Sequence, residues 1–114
     1  MTTRPSNALS AASPDAVRLY RSLLAALRPL GTFREEVKKA SVHLVRGSAF
    51  VGVHFRRSHL LLTIKAAVPI RSPRIVKAEP VSRNRWHCEV KVFAESQIDD
   101  ELTAWMRTAY DLCA

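Results

Sequence analysis

The chain has 114 residues, 47% of them apolar and 25% charged, which suits one domain with a real core and excludes a globally disordered or fibrous protein. Eighteen Lys and Arg against ten Asp and Glu leave a net charge of +8, which points toward anionic partners. No apolar run approaches the roughly 18 residues that span a bilayer; the longest, Leu60-Leu61-Leu62-Thr63-Ile64, is strand-sized.

Residues 1–12 are small and polar and are expected to form a flexible lead-in to a single domain over residues 13–114. Arg4 is followed by no apolar core, so an export signal is not expected and the location read from the sequence is cytoplasmic. Ser13-Pro14-Asp15 is a helix start, with a capping Ser, Pro at the first helical position and an acid in the first turn. Val17, Tyr20, Leu23, Leu24 and Leu27 follow as an apolar stripe, and Pro29 and Gly31 stop the helix.

Past Glu36 the period changes from about 3.6 residues to 2. Strands are expected near 38–46, 49–56, 59–67, 74–80 and 85–93. The last is the clearest, with Trp86, Cys88, Val90 and Val92 alternating with Arg85, His87, Glu89 and Lys91. Such two-faced strands belong to antiparallel sheets with one dry side. The connections Arg46-Gly47-Ser48, Arg56-Arg57-Ser58 and Arg83-Asn84-Arg85 are too short for crossover helices and predict hairpins.

Ser96 with Asp99 resembles a capping box, and Asp99, Asp100 and Glu101 place acids in the first turn of a final helix. Leu102, Trp105, Met106, Ala109 and Cys113 then recur at helical spacing. The economical assembly is α+β: an antiparallel sheet of four to five strands in a meander, with the N- and C-terminal helices packed on one face.

Several segments of this ordered set are similar to a known family. The opening "PDAVRLYRSL", the strand segments "SVHLVRGSAFVGV", "LLLTIKA" and "RWHCEVKVF", and the closing "IDDELTAWMRTAY" resemble the bacterial domain of unknown function 5655 over roughly residues 13–112. The resemblance implies an α+β fold. It brings no reaction and no catalytic residues.

Charge segregates along the chain. Residues 34–91 hold 13 Lys and Arg and 4 acids, a net of +9, whereas residues 92–114 carry a net of −4. Successive turns of a meander alternate between the two ends of a sheet. Arg56, Arg57, Arg83 and Arg85 are therefore expected together at one end, and Arg46, Arg71 and Arg74 at the other. Lys65, Lys77, His87 and Lys91 fall on the open face between them. From these, Arg56, Arg57, Arg83, Arg85, Lys65, His87 and Lys91 form the candidate anion- or nucleic-acid-binding set. Thirteen of the eighteen basic residues are Arg, which suits bidentate contact to phosphate or carboxylate. The plain alternative is a solvated basic face.

Base stacking is not expected to contribute. Trp86 shares its face with Val90 and Val92 and is expected in the core, and Phe50 and Phe93, the aromatics phased outward, lie away from the middle of their strands. Contact with nucleic acid would then be directed to the backbone. A second function reading is a protein-interaction or homodimerising domain, in which an edge strand or the outer sheet face meets another chain or an acidic protein surface. The acidic last helix of a second copy is one such surface.

No catalytic residue, metal site or cofactor is assigned. His43, His54, His59 and His87 match no metal-ligand spacing, although His54 and His59 flank one turn and His87 sits in mid-sheet among charges. Cys88 and Cys113 match no redox motif and are expected as free thiols. No Ser lies in a nucleophile elbow, and Gly31, Gly47 and Gly52 form no phosphate-loop fingerprint. Helix capping accounts for the acidic trio Asp99, Asp100 and Glu101, which leaves it no catalytic role.

Overall fold

The computed structural model describes residues 7–114. Residues 1–6, half of the expected lead-in, lie outside the described residues. The other half contains a short helix, α1 (Ala8–Ala11), closed by a reciprocal capping box between Asn7 and Ser10. Ala8 is buried, and its amide donates to the Lys38 carbonyl.

Helix α2 (Pro14–Leu27) begins as the sequence predicts, with the Ser13 hydroxyl accepting from the Ala16 amide and Pro14 at the first position. Its buried stripe is Ala16, Leu19, Tyr20, Leu23 and Leu27. A 3-10 turn at Arg28–Leu30 and Gly31, at φ 140°, end it. A Cβ at Gly31 would also collide with the Tyr110 hydroxyl.

The sheet is antiparallel with six strands: β1 (Arg34–Val37), β2 (Val42–Val45), β3 (Ala49–Phe55), β4 (Leu60–Ala66), β5 (Ile75–Ser82) and β6 (Arg85–Val92). The expected first strand over 38–46 is therefore corrected to two, separated by a turn. Strand β1 hides no side chain completely, so it lacks the apolar alternation that marks the others.

The spatial order is β1-β2-β3-β4-β6-β5. It runs as a meander through β4. The segment 67–74 then passes from one end of the sheet to the other with Ile70 against the core, so that β5 becomes the edge and β6 fills the gap beside β4. The last hairpin turns through Arg83 and Asn84, with Asn84 at φ 60°, a left-handed conformation Asn tolerates.

Helices α2 and α3 (Asp100–Leu112) lie together against one face of the sheet and bury Leu44, Val51, Val53, Leu62, Ile64, Val90 and Val92. The cap of α3 is Asp99, which accepts from the Leu102 amide, rather than Ser96, which lies in a 3-10 turn. Arg74 donates to Asp99 at 2.9 Å, to Glu101 at 3.0 Å and to the Gln97 carbonyl at 2.7 Å, and so ties the N-terminal end of α3 to the start of β5. At the other end the Cys113 carbonyl accepts from the Gly47 amide at 2.7 Å, and Arg46 donates to the Tyr110 carbonyl at 3.1 Å. Carbonyls of a last helical turn have no partner within the helix, and a cation there also meets the negative end of the dipole.

One break in register decides which way Phe50 points. Val45 pairs with Ala49 and Leu44 with Val51, so Phe50 faces no residue of β2. This bulge turns it into the core, fully buried, with its ring edge-on to Phe33 and Tyr110 at 5.7 and 5.3 Å. Strict alternation had put it outward. Trp86 is corrected in the opposite sense: it ends half-buried beside Ala66 and Pro80 at the end of β6, outside the core cluster. The thiols of Cys88 and Cys113 are free and buried.

Replacing Phe50 with Ala is expected to cost about 3–5 kcal/mol of stability, as for other buried aromatics, in urea unfolding. An outward-facing Phe would change it by less than about 0.5 kcal/mol.

Candidate anion-binding site

The register places the turns of the sheet. Phe55 pairs with Leu60, Leu60 with Val92, and Val42 with Val53, so the β1–β2 and β3–β4 turns share one end, called here the upper end. Ala66 pairs with Trp86 and Val45 with Ala49, which puts the β2–β3 and β5–β6 turns at the lower end. The expected cluster of four arginines is thereby divided. Arg56 and Arg57 are at the upper end, with Arg74 near them at the start of β5, whereas Arg83 and Arg85 are at the lower end with Arg46. The exchange of β5 and β6 in the sheet order is the cause.

At the upper end Arg56 and Arg57 meet Lys39 of the β1–β2 turn around a hollow of about 390 Å³. Its floor includes Ala8, Ala12 and Phe55, and no carboxylate lines it. Ser13 donates its hydroxyl to the Arg57 carbonyl at 2.9 Å and fixes the turn against the start of α2. Among the described residues these three cations pair with no carboxylate, whereas Lys38 is held by Glu36 at 3.4 Å. In sequence Lys39 belongs to a charge run, Glu35-Glu36 before Lys38-Lys39. Nothing local distinguishes it from Lys38 except that β1 ends between Glu36 and Lys39.

Lys91 reaches toward the same end, opposite Leu61. His59, which stacks on Phe93 at 4.5 Å, has its pKa lowered by burial and then by the Lys91 and Arg56 charges. His54 pairs with Leu61, so His54 and His59 do not face each other across their turn. At the lower end Arg85 donates to the Asn84 carbonyl at 2.7 Å, and Arg46 is engaged by α3. Other arginines are also in use: Arg18 pairs with Asp15, Arg28 with Glu35 and Arg34 with Glu36. Glu35 also accepts from the Tyr20 hydroxyl, whose pKa burial and this hydrogen bond push far above the usual range.

The uncovered face carries a second hollow, of about 260 Å³. His43, Gly52, Thr63, Glu89 and Lys77 form one row across β2, β3, β4, β6 and β5. Lys65, His87 and Glu79 form the next row toward the lower end, and His54 rises on the other side of Gly52. Lys77 pairs with Glu79 at 3.4 Å, and Lys65 has the Ser48 hydroxyl at 3.4 Å. His43, His54, Thr63, Lys65, His87 and Glu89 are all half-buried although no helix covers them, because the sheet curls at its register breaks. Among the described residues no three His, Cys, Asp or Glu side chains are grouped to hold a metal ion. Of the seven sequence-predicted residues, Lys65 and His87 therefore share the open-face hollow, Arg56 and Arg57 share the upper hollow, Lys91 stands near the upper end, and Arg83 and Arg85 stand apart from both.

Comparison with known proteins adds one finding. A family model described as a domain of unknown function (DUF5655) matches residues 6–113. No curated protein and no solved structure matches the chain.

Burial, then the Arg56 charge, lower the pKa of His54, against an opposing pull from Glu89. His59 is lowered as well. Both groups bind protons more readily in the unfolded chain, so their contribution to stability is complete above the unfolded pKa of about 6.5 and declines as pH falls below it. The melting temperature is expected to drop between pH 7.5 and 5.5, and to drop less in a His54→Gln/His59→Gln variant. An equal drop in that variant would assign the effect to other groups.

Proposed function

The chain belongs to the DUF5655 family, and on that footing we propose that it is a binding module holding an anionic partner at the upper end of its sheet, the phosphate backbone of a nucleic acid being the partner. The observation that carries this reading is the hollow shared by Lys39, Arg56 and Arg57, three cations without a carboxylate among its lining residues. Like charges held together lower one another's stability unless an anion joins them, and guanidinium groups contact phosphate, as they do carboxylate, in bidentate fashion.

The rest of the surface supports backbone contact over base reading. Phe50 is in the core and offers no platform for bases, and Phe93, although exposed, has one ring face already stacked on His59. Both long helices have their apolar faces on the sheet. A self-association reading would use an edge strand, β1 or β5. Strand β1 is four residues long and charged at Arg34, Glu35 and Glu36, and β5 carries Pro80, which lacks an amide donor, and Lys77; short length, charge and proline all discourage pairing at an edge. The anionic partner is therefore the better supported reading.

Binding is testable by fluorescence anisotropy with a labelled DNA duplex. Three phosphate contacts predict a log–log salt slope of about −3. A Lys39→Ala/Arg56→Ala/Arg57→Ala variant is expected to lose about tenfold or more in affinity at low salt, since each lost phosphate contact weakens binding regardless of sequence. An Arg83→Ala/Arg85→Ala variant removes two arginines from the opposite end and is expected to bind almost as the parent does. Equal losses in the two variants, or no binding by the parent at low salt, would overturn the proposal.

A further inference from the structure

Strand β3 leaves a gap on the open face. Of its positions between Ala49 and His54, Phe50 is turned inward by the bulge, Val51 and Val53 face the core, and Gly52 has no side chain. Between Ala49 and His54, the third strand of the six-stranded sheet therefore sends no side chain to the open face. The hollow lies over them.

Nothing in the fold demands glycine at 52. Its φ is not in the left-handed region, where Gly31 alone of the glycines lies. A Cβ built there would meet the Thr63 Cβ at 3.7 Å and the His43 Cδ2 at 3.9 Å, ordinary van der Waals contact. Glycine inside a strand costs roughly 0.5–1 kcal/mol relative to Ala, and in such a position it marks a bulge or the close approach of another group. The bulge is at Phe50, and among the described residues the nearest atoms to a Cβ at Gly52 stand at ordinary contact distance, beside a hollow.

We propose that this hollow is a binding site for a small phosphate monoester, seated over Gly52 with its phosphate held by Lys65 and the imidazoles of His43, His54 and His87. The donors are right for a phosphate. Lys77 is already engaged by Glu79, whereas the partner of Lys65 is a neutral hydroxyl, so one ammonium group is available. Imidazole N–H groups supply further donors around three acceptor oxygens. Thr63 and Glu89 stand in the same row as Gly52 and can bond to the hydroxyls of the organic part. The volume of the hollow, about 260 Å³, suits a phosphate on a short hydroxylated carbon chain.

The test is a titration of the full chain with glycerol phosphate, following the imidazole carbon-bound protons by NMR. The resonances of His43, His54 and His87 are expected to move saturably, while that of His59, at the upper end, stays in place. Gly52→Val is expected to fold, because its Cβ has room and β-branched residues favour strands, and to lose the response; Gly52→Ala should weaken it. Lys65→Gln is expected to weaken binding about tenfold, the scale of one charge-assisted hydrogen bond. Glycerol and acetate, which supply the hydroxyls and a carboxylate separately, are expected to give no saturable shift. The proposal is overturned by no saturable shift with glycerol phosphate, by an undiminished response in a folded Gly52→Val protein, or by an equal response to acetate.

Discussion

Opposite Leu44 and Val45, strand β3 carries one residue more than β2 can pair, and that residue is Phe50. Two outcomes compete. Keeping the ladder regular would retain a hydrogen bond or two, each worth about 1 kcal/mol net, and leave the ring in water. Turning the ring inward removes at least 150 Å² of aromatic surface from solvent, worth roughly 4 kcal/mol at 25 cal/mol per Å². Burial wins, and the ring closes an edge-to-face series with Phe33 and Tyr110. The same turn keeps the ring off the open face, where Gly52 adds no side chain, and the last turn of α3 docks on the neighbouring β2–β3 connection.

Helix α3 is held at both ends by arginines from sheet connections. Arg74 meets the acids of its first turn, and Arg46 meets its last carbonyls while lying over the Tyr110 ring at 4.1 Å. Both contacts follow the direction of the helix dipole, with acids at the positive end and a cation at the negative end. The arginine excess is therefore divided in its duties. Part of it assembles the fold, and Arg56 and Arg57, left without carboxylates, lie where the turns of the upper end meet.

Which turns meet is a matter of topology. Had β5 followed β4 in space as it does in sequence, Arg56, Arg57, Arg83 and Arg85 would share one end of the sheet. The passage of 67–74 along the sheet reverses the direction of the last hairpin relative to that plan and sends Arg83 and Arg85 to the far end. Lys39 takes their place beside Arg56 and Arg57, because the short strand β1 ends just before it.

By itself, the sequence determined the elements whose causes are local. The Ser13-Pro14 helix start depends on a side chain three residues from the amide it caps, the stop at Gly31 on one residue's φ, and the two-faced strands β4 and β6 on a period of 2, so the α+β class and the helices on one face were legible. The cap of α3 was misplaced by three residues because Ser96 and Asp99 are both good caps, and only docking selects between them. Strand β1 was hidden because a strand exposed on both faces has no apolar period. What the tertiary structure alone decided was everything that depends on pairing partners far apart in the chain. The bulge at Phe50 exists only relative to β2, the place of Arg83 only relative to β4, and the hollow at Gly52 only when five strands lie in register. Local pattern carries none of these, because hydrogen-bond register is settled between strands and not within one.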